Sequence, residues 1–363
     1  MNTSAICLTV GAFLLAGCAA KSPGAQTVTP TASPAAAQPK ASSAAGGATT
    51  LAEQGRDPAE FPAYVEALKQ QARSQGISEA TVTAAFANVH FVDRVIKSDR
   101  NQPEKKITLD DYLTRVITPA KIEQARTLYQ QYQAQLASVS AQTGVPGNYI
   151  VALWAMESNF GKIQGKEDII SALSTLAFEG RREAFFTKEL MAALKILDQG
   201  HIAVDELKGS WAGAMGQNQF MPSSWLRYGK DGNGDGKIDI WSDTSDVFAS
   251  TANYLATEGW EAGGSWGVEV KLPDGFDAAL AGTKTAQGKT VSQWQKLGVI
   301  LPDGLQLPVS TERAWIVTPD DNQGRSFLVY NNFRTIMRWN RSYYFAIGIG
   351  TMADAIARQN TAG

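Results

Sequence analysis

The sequence predicts a mainly α fold of the α+β class, with a small β portion late in the chain. Apolar residues recur at three- to four-residue spacing through the first two thirds of the chain, which indicates amphipathic helices. After Trp266 short strand-like segments alternate with Pro, Asp and Gly turns. The 363 residues, 44% of them hydrophobic, are enough to bury a sizeable core, and no internal repeat is visible.

The N-terminus has the pattern of an export signal. Residues 5–17 form an apolar run too short to span a bilayer as a stable helix, and a cysteine follows at once. Leu15-Ala16-Gly17-Cys18 resembles the lipobox of bacterial lipoproteins, in which the cysteine is acylated and becomes the first mature residue. Ala19 resembles the next residue of lipoproteins sent to the outer membrane. An ordinary cleaved signal, with Cys18 incidental, remains the alternative.

Residues 18–50 predict a flexible tether after a signal peptide over residues 1–17. They are mostly Ala, Gly, Ser, Thr and Pro, so they bury too little apolar surface to offset their ordering entropy. A random coil of this length spans about 30 Å. Cys7 lies in the signal and Cys18 is the anchor, so we expect no disulfide. The rest of the chain, residues 51–363, is predicted to be one catalytic unit. Its parts are a helical lobe at about 51–140, a core at about 141–265, and a β portion with a closing helix at about 266–363.

The helices and strands are predicted in order from their apolar patterns. A break at Gly144-Val145-Pro146 precedes the most apolar helix. Two predicted helices are marked by their apolar residues: one by Phe61, Tyr64, Leu68 and Ala72, the other by Leu128, Tyr132 and Leu136. Four more are predicted over residues 149–157, 185–197, 247–257 and 342–358. The predicted strands are residues 268–272, 314–317 and 326–330.

Charge and histidine content exclude several classes of function. The formal net charge is −2, so the chain lacks the basic surface expected of a nucleic-acid binder. Only His90 and His201 are present, which disfavours Ser-His-Asp or Cys-His catalysis and a His-rich zinc site. Carboxylates must therefore carry any acid–base chemistry.

Glu157 is the carboxylate with the most unusual context. Seven consecutive apolar residues, 150–156, precede it, and Gly161 offers the helix a stop. A carboxyl placed there, near the mouth of a cleft, would be partly desolvated, which raises its pKa as a general acid requires. On the local pattern alone, however, a glutamate at a helix end is more often a solvated surface group.

Two further segments are rich in groups that bind ligands. Residues 209–225 surround Gln217, Asn218 and Gln219 with small residues, which suits close approach to a sugar or, equally, a tightly packed turn. The second segment begins at Asp231 and fits the first half of an EF-hand loop. Its oxygen ligands would come from Asp231, Asn233, Asp235 and the Lys237 carbonyl. Position 12 is Ser242 instead of Glu, so a polar turn without an ion stays open.

Several motifs in order resemble the membrane-bound lytic murein transglycosylase B family. The resemblance covers roughly residues 57–358 and implies a lysozyme-like helical catalytic core with an EF-hand-like loop. The motifs are Glu157-Ser-Asn-Phe-Gly161, Ser174-Thr-Leu-Ala177, Gly209-Ser-Trp-Ala-Gly-Ala-Met-Gly216, Gln219-Phe-Met-Pro-Ser223, Ala252-Asn-Tyr254, Tyr330-Asn-Asn-Phe333 and Arg338-Trp-Asn-Arg-Ser342.

The resemblance implies roles for individual residues. Glu157 corresponds to the family's sole catalytic acid and base. Trp339 and Phe345 each replace a family tyrosine; Trp339 keeps an aromatic face, whereas Phe345 lacks the hydroxyl. The family also implies a lengthened calcium loop closed by Asp246, so we expect a structural Ca²⁺ and no cofactor for catalysis. The implied glycan contacts are Ser210, Gln219, Tyr254, Trp339 and Asn340, and Trp211 is a further candidate for stacking on a sugar.

The implied reaction is cleavage of the β-1,4 bond between N-acetylmuramic acid and N-acetylglucosamine, with formation of 1,6-anhydromuramic acid. Peptidoglycan glycan strands are then the substrate, outer-membrane lipid and other cell-wall enzymes are the expected partners, and the periplasmic face of the outer membrane is the location. Glu167, Asp168 and Glu179 are candidates for a second carboxylate in the alternative, a hydrolytic muramidase. A glycan-binding scaffold lipoprotein and, less favoured, a calcium sensor remain further alternatives.

Overall fold

The computed structural model describes residues 55–101, 107–321 and 323–358, which form a mainly α structure with a two-stranded and a four-stranded sheet. The predicted signal peptide, Cys18 and the tether lie outside the described residues. The helices are α1 (Phe61–Ser74), α2 (Glu79–Phe86), α3 (Asp93–Arg100), α4 (Leu109–Val116), α5 (Pro119–Gln131), α6 (Gln133–Thr143), α7 (Gly147–Ser158), α8 (Ile169–Glu179), α9 (Glu183–Asp198), α10 (Pro222–Tyr228), α11 (Thr244–Thr257), α12 (Val291–Lys296), α13 (Asn331–Trp339) and α14 (Tyr343–Ala357).

The described residues also contain six strands: β1 (Glu167–Asp168), β2 (Lys208–Gly209), β3 (Gly267–Val270), β4 (Lys289–Thr290), β5 (Arg313–Val317) and β6 (Ser326–Val329). β1 and β2 form a two-stranded pair beside the helices. The other four form an antiparallel sheet in the order β3-β6-β5-β4. The late β portion that the sequence predicts is therefore confirmed.

Polar side chains start several helices by capping their free backbone N–H groups. Asp168 accepts from the amide of Ser171 at the start of α8, and Asp243 accepts from the amide of Ser245 at the start of α11. These bonds satisfy donors that have no partner inside a helix. The apolar stripe from Leu128 to Leu136 covers two helices, because the chain bends at Tyr132 between α5 and α6.

The sheet is buried on both faces because alternate side chains point in opposite directions. On β6, Phe327 and Val329 join the main apolar cluster of the helices, whereas Leu328 joins a second, smaller cluster. Ile316 on β5 lies opposite Leu328 and packs into the same smaller cluster. Trp294 of α12 is fully buried there. The sheet thus connects the helical core to a small satellite core.

Helix α7 lies at the centre of the main cluster. All of its residues except Asn148 and Glu157 are buried. The closing helix α14 packs against it, and a Cβ on Gly348 would lie 3.2 Å from the Met156 side chain, so the two helices approach closely. None of the helices in the described residues is long and apolar enough to cross a membrane.

Candidate active site

Glu157 lies in the last turn of α7 and is the half-buried polar end of an otherwise buried helix. The indole Nε1 of Trp339 donates a 2.8 Å hydrogen bond to its Oε1. Burial raises the pKa of the Glu157 carboxyl to about 8, while the bond from Trp339 acts in the opposite direction. Removal from water disfavours the charged form, so this carboxyl is largely protonated at neutral pH.

The backbone after Glu157 is unusual. Helix α7 ends at Ser158, and three consecutive residues take left-handed conformations, with φ of 49° at Asn159, 60° at Phe160 and 80° at Gly161. The helix therefore stops before Gly161, where the sequence suggested. A Cβ on Gly161 would lie 2.3 Å from Gln217 Oε1, so glycine is required for the contact between this turn and the 209–225 segment.

The three side-chain amides of the 209–225 segment divide between the two roles that the sequence left open, packing of the turn and contact with a ligand. Gln217 is buried; its Oε1 accepts from Trp154 Nε1 at 2.7 Å and its Nε2 donates to the Trp241 carbonyl at 3.1 Å. Asn218 is also buried and donates to the Val247 carbonyl at 2.9 Å. These two amides hold the turn together. Gln219 is half-buried; its Nε2 donates to the carbonyls of Gln164 at 3.1 Å and Gly216 at 2.9 Å, so its Oε1 is the atom that a ligand could contact.

Among the predicted glycan-contact residues, Trp339 bonds directly to Glu157, and the others come from the 209–225 segment, from α11 and from the residue after α13. Ser210 Oγ accepts from the Ala214 amide at 3.0 Å, and Gln219 Nε2 donates to the Gly216 carbonyl at 2.9 Å; both bonds shape the 209–225 segment. Asn340, directly after α13, accepts from the Ser342 amide at 3.2 Å. Ser210, Gln219 and Asn340 are half-buried, so each keeps part of its polar surface accessible.

An aromatic group connects these two parts of the chain. The Trp339 ring lies 4.6 Å from the Tyr254 ring and 5.1 Å from the Phe220 ring. Tyr254 is mostly buried, and its hydroxyl donates to the Arg338 carbonyl at 2.7 Å. Trp211, the other stacking candidate, is half-buried against the main core, and Phe345 lies in the core.

Tyr112 on α4 is a neighbour of Glu157 that the sequence did not reveal. Burial, together with the negative charge of Glu157, raises the pKa of its hydroxyl. The two residues are far apart in the chain, and the local sequence around Tyr112 is that of an ordinary amphipathic helix. No local signal marks it, because its proximity to Glu157 depends on how α4 packs.

The three candidates for a second carboxylate are each held elsewhere. Glu167 forms an ion pair with Arg94. Asp168 caps α8 and lies 3.3 Å from Lys208 Nζ. Glu179 is almost fully buried and pairs with Arg100 at the end of α8. All three carboxylates therefore stabilise the fold around the site.

The EF-hand-like loop is organised around its acidic side chains. Asp231 accepts from the amides of Gly234 at 2.6 Å and Gly236 at 2.8 Å. Asp246 is fully buried and accepts from the amides of Gly232 at 2.7 Å and Asp239 at 2.6 Å.

The described residues contain no group of three or more His, Cys, Asp or Glu side chains converging as a metal site. The side-chain oxygens of Asp231, Asn233 and Asp235 nevertheless follow one another on this loop, and a carboxylate can accept more bonds than Asp246 makes. The first half of the loop fits a calcium ion, and Asp246 fits it through its remaining lone pairs.

Solved structures with this fold define the class of the protein. The fold is similar to that of SltB3 from Pseudomonas aeruginosa, solved in complex with NAG-NAM-pentapeptide, with a TM-score of 0.79 and 41% identity over 82% of this chain and 80% of that chain. The complex of the same protein with NAG-anhNAM-pentapeptide gives a TM-score of 0.78 and 41% identity, over 82% and 79% of the chains. A structure of the Escherichia coli lytic transglycosylase Slt35 in complex with calcium has a TM-score of 0.71 and 28% identity, over 81% and 92%. The class is that of the lytic transglycosylases.

The family follows from the sequence as a whole. The family model described as "Transglycosylase SLT domain" matches residues 60–354, so the chain belongs to this family. Membrane-bound lytic murein transglycosylase B from Escherichia coli (strain K12) is 32% identical over 253 residues, which are 68% of this chain and 66% of the relative. The match therefore spans just under two thirds of that relative. The resemblance expected from the sequence motifs is confirmed.

Proposed function

We propose that this protein cleaves the β-1,4 bond between N-acetylmuramic acid and N-acetylglucosamine in peptidoglycan and forms 1,6-anhydromuramic acid. The observation that carries the proposal is the pKa of about 8 at the half-buried carboxyl of Glu157, which keeps the acid protonated at neutral pH. The SltB3 structures in complex with NAG-NAM-pentapeptide and with NAG-anhNAM-pentapeptide support the substrate and the product class.

Glu157 acts first as acid and then as base. Its proton passes to the glycosidic oxygen as the bond from that oxygen to C1 of the muramic acid breaks, and positive charge develops on the sugar ring. The C6 hydroxyl of the same ring then bonds to C1, and the Glu157 carboxylate takes the hydroxyl proton. No water enters the product, so no second carboxylate is required to activate one. The structural engagement of Glu167, Asp168 and Glu179 is in keeping with this.

The glycan is bound, on this proposal, by the polar and aromatic groups around Glu157. Ser210, Gln219 and Asn340 provide hydroxyl and amide groups for sugar hydroxyls and acetamido groups. Tyr254 and Trp339 provide an aromatic surface for the apolar face of a sugar. Trp339 also orients Glu157 through its 2.8 Å bond, which aligns the carboxyl beside the sugar.

Digestion of purified peptidoglycan tests the reaction. Fragment masses lighter by one water molecule than the hydrolysis products are expected from the wild-type chain, and Glu157→Gln should release no fragments. The matched control Glu206→Gln changes an exposed glutamate and should retain activity. Reducing ends in place of anhydro ends would show a muramidase, and release of no fragments by the wild-type chain would favour a binding scaffold. Activity retained in Glu157→Gln would refute the role of that residue.

We also propose that the loop holds a structural Ca²⁺. Its ligands would be the side-chain oxygens of Asp231, Asn233, Asp235 and Asp246 and the carbonyl oxygen of Lys237. The sequential acidic and amide oxygens of the loop support this, as does the Slt35 structure in complex with calcium. The ion would neutralise these carboxylates and fix the start of α11, which carries Tyr254.

The calcium proposal is tested by thermal unfolding of the mature protein. An ion at one hundred times its Kd adds about 2.7 kcal/mol, so a chelator should lower Tm by several degrees and added Ca²⁺ should restore it. The double variant Asp231→Asn, Asp235→Asn should lose this response. Asp274→Asn, which alters an exposed aspartate outside the loop, should keep it. A Tm unchanged by chelator in the wild-type protein would rule the site out.

The location proposed is the periplasmic face of the outer membrane, with the chain anchored through acylated Cys18. The sequence Leu15-Ala16-Gly17-Cys18 supports this, and the relative named above is membrane-bound by its name. Cys18→Ala should move the protein from the membrane fraction to the soluble fraction. If this variant stayed in the membrane fraction, the protein would be attached in another way and the proposed anchor at Cys18 would be wrong.

A further inference from the structure

A basic cleft of about 680 Å³ lies beside the aromatic group of the active site. Its arginines come from α10, α13 and the turn after α13. We call it the arginine cleft and define it by five lining residues: Arg227, Arg334, Arg338, Arg341 and Glu258. Its volume is in the range of ligand pockets, which are about 300–1,000 Å³.

The single carboxylate among these five residues is already shared by two arginines. Glu258 is 12% exposed and lies 2.8 Å from Arg338 and 3.2 Å from Arg227, and hydrogen bonds from Tyr228 and Arg338 hold the pKa of its carboxyl below the usual value. Within the described part of the chain, neither Arg334 nor Arg341 has an ion pair with a carboxylate. The cleft therefore carries positive charge that the protein does not balance locally.

Arg334 is held in place without a negative partner. Its guanidinium lies 4.4 Å from the ring of Trp315 and is 3.3 Å from the side-chain oxygen of Asn331. Burial and the positive charges of Arg338 and Arg313 lower the pKa of this guanidinium. A half-buried cation beside two like charges gains stability when an anion binds.

Only two side chains separate the arginine cleft from the catalytic carboxyl. Tyr254 lines the cleft, and its hydroxyl bonds to the carbonyl of Arg338 at 2.7 Å. The other side of Tyr254 meets Trp339 at 4.6 Å between ring centroids, and Trp339 bonds to Glu157. The arginine cleft is thus linked to the catalytic carboxyl through the contacting side chains of Tyr254 and Trp339.

We propose that the arginine cleft binds the carboxylates of the peptide stem attached to the muramic acid beside the cleaved bond. The proposal rests on the proposed function, since it requires a peptidoglycan strand at Glu157. Stem peptides carry free carboxylates, and a guanidinium binds a carboxylate through two parallel hydrogen bonds. Arg334 and Arg341 provide the two guanidinium groups that have no carboxylate partner in the described residues.

The test compares two forms of one substrate: glycan strands with stem peptides, and the same strands after an amidase has removed the stems and the lactyl carboxylate exposed on each muramic acid has been converted to an amide. For the double variant Arg334→Ala, Arg341→Ala we expect kcat/KM to fall about tenfold on strands with stems, the change that a loss of roughly 1.4 kcal/mol gives. On strands without stems, kcat/KM should stay at the wild-type value. Arg73→Ala, at an exposed surface arginine of α1, is the control and should change neither value.

The chemistry of the stem supplies a second comparison. Strands whose stem carboxylates have been converted to amides should be cleaved by the wild-type protein as slowly as strands without stems. Conservative substitution by lysine at both positions should recover part of the loss, because lysine keeps the charge but not the paired hydrogen bonds. Thermal unfolding of each variant shows whether its fold is intact.

The outcomes separate this proposal from the proposed function. Equal losses on both substrates, or no loss on either, would overturn the binding of stems while leaving the cleavage reaction in place. Failure of the wild-type protein to cleave either substrate would instead overturn the proposed function. If the variant lost binding to phosphatidylglycerol vesicles but kept its preference for stems, the cleft would serve a membrane surface, and the stem proposal would be wrong.

Discussion

Replacement of Glu157 by glutamine should change how stability depends on pH. The wild-type carboxyl has a pKa of about 8 in the folded protein, compared with 4.5 as the ordinary value. Between these values the folded state binds more protons than the unfolded state, so the free energy of unfolding falls as pH rises. Each tenfold change in proton affinity corresponds to 1.36 kcal/mol, so the full effect is about 5 kcal/mol above pH 8 and about 3 kcal/mol at pH 7.

Glutamine has nearly the same shape and no charge, so it removes this penalty. We expect Glu157→Gln to match the wild-type protein in stability near pH 4.5 and to exceed it increasingly toward pH 8, by a few kcal/mol. Urea unfolding at pH 5, 7 and 8.5 measures the difference, and the titration of every other group cancels between the two proteins. Glu206→Gln, at an exposed position, should give a difference that stays constant with pH.

A difference between Glu157→Gln and the wild type that does not change over this pH range would refute the raised pKa. The same carboxyl should give an alkaline limb in the activity profile of the wild type, with the rate falling as pH rises through about 8, because the acid form is lost. Agreement of the two measurements would assign both effects to one group.

Two further substitutions probe the turn after α7 and the indole bond. Gly161→Ala should lower the free energy of unfolding by about 2–4 kcal/mol, because the new Cβ meets Gln217 at 2.3 Å and φ is 80°. Gly259→Ala is the control: its φ is 98° but no atom lies within 4 Å of the new Cβ, so it should lower the free energy of unfolding by only about 1 kcal/mol. Equal losses in denaturant unfolding would contradict the steric argument. Trp339→Phe should move the alkaline limb of the pH–rate profile upward, since the lost bond favoured the charged form of Glu157; an unchanged or lowered limb would show that this bond does not act on the carboxyl.

The sequence predicted some helices from their single polar face, and α7 from the unbroken apolar run that follows the break at Gly144-Val145-Pro146. Helix α1 and helix α9 have such a face, and their apolar spacing follows it. Helix α8 could not be predicted in this way, because all eleven of its residues are buried and no polar side exists to give a period. The break at Tyr132 was also invisible, since the apolar spacing continues through it.

In the candidate site, too, features with a local sequence pattern were predicted, whereas contacts between distant parts of the chain were not. The context of Glu157 is local, so the sequence could single it out as a candidate: the apolar run before it left a solvated glutamate open, and the resemblance of the motif after it to the family gave it a catalytic role. The bond from Trp339 and the proximity of Tyr112 depend on how distant helices pack, and a single sequence carries no local mark of either. Gln217, predicted as a ligand amide, instead has a structural role because Trp154 and Trp241 take its polar atoms.

The bond between Glu157 and Trp339 joins residues 182 positions apart, and the closing helix α14 covers α7. Synthesis proceeds from the N-terminus, so a nascent chain makes Glu157 long before the indole that orients it and the helix that buries its neighbours. Before the last helices are made, α7 is not covered by α14, and the burial that raises the pKa of the Glu157 carboxyl is incomplete. The raised pKa of Glu157 and the bond that orients its carboxyl therefore both depend on the completed chain.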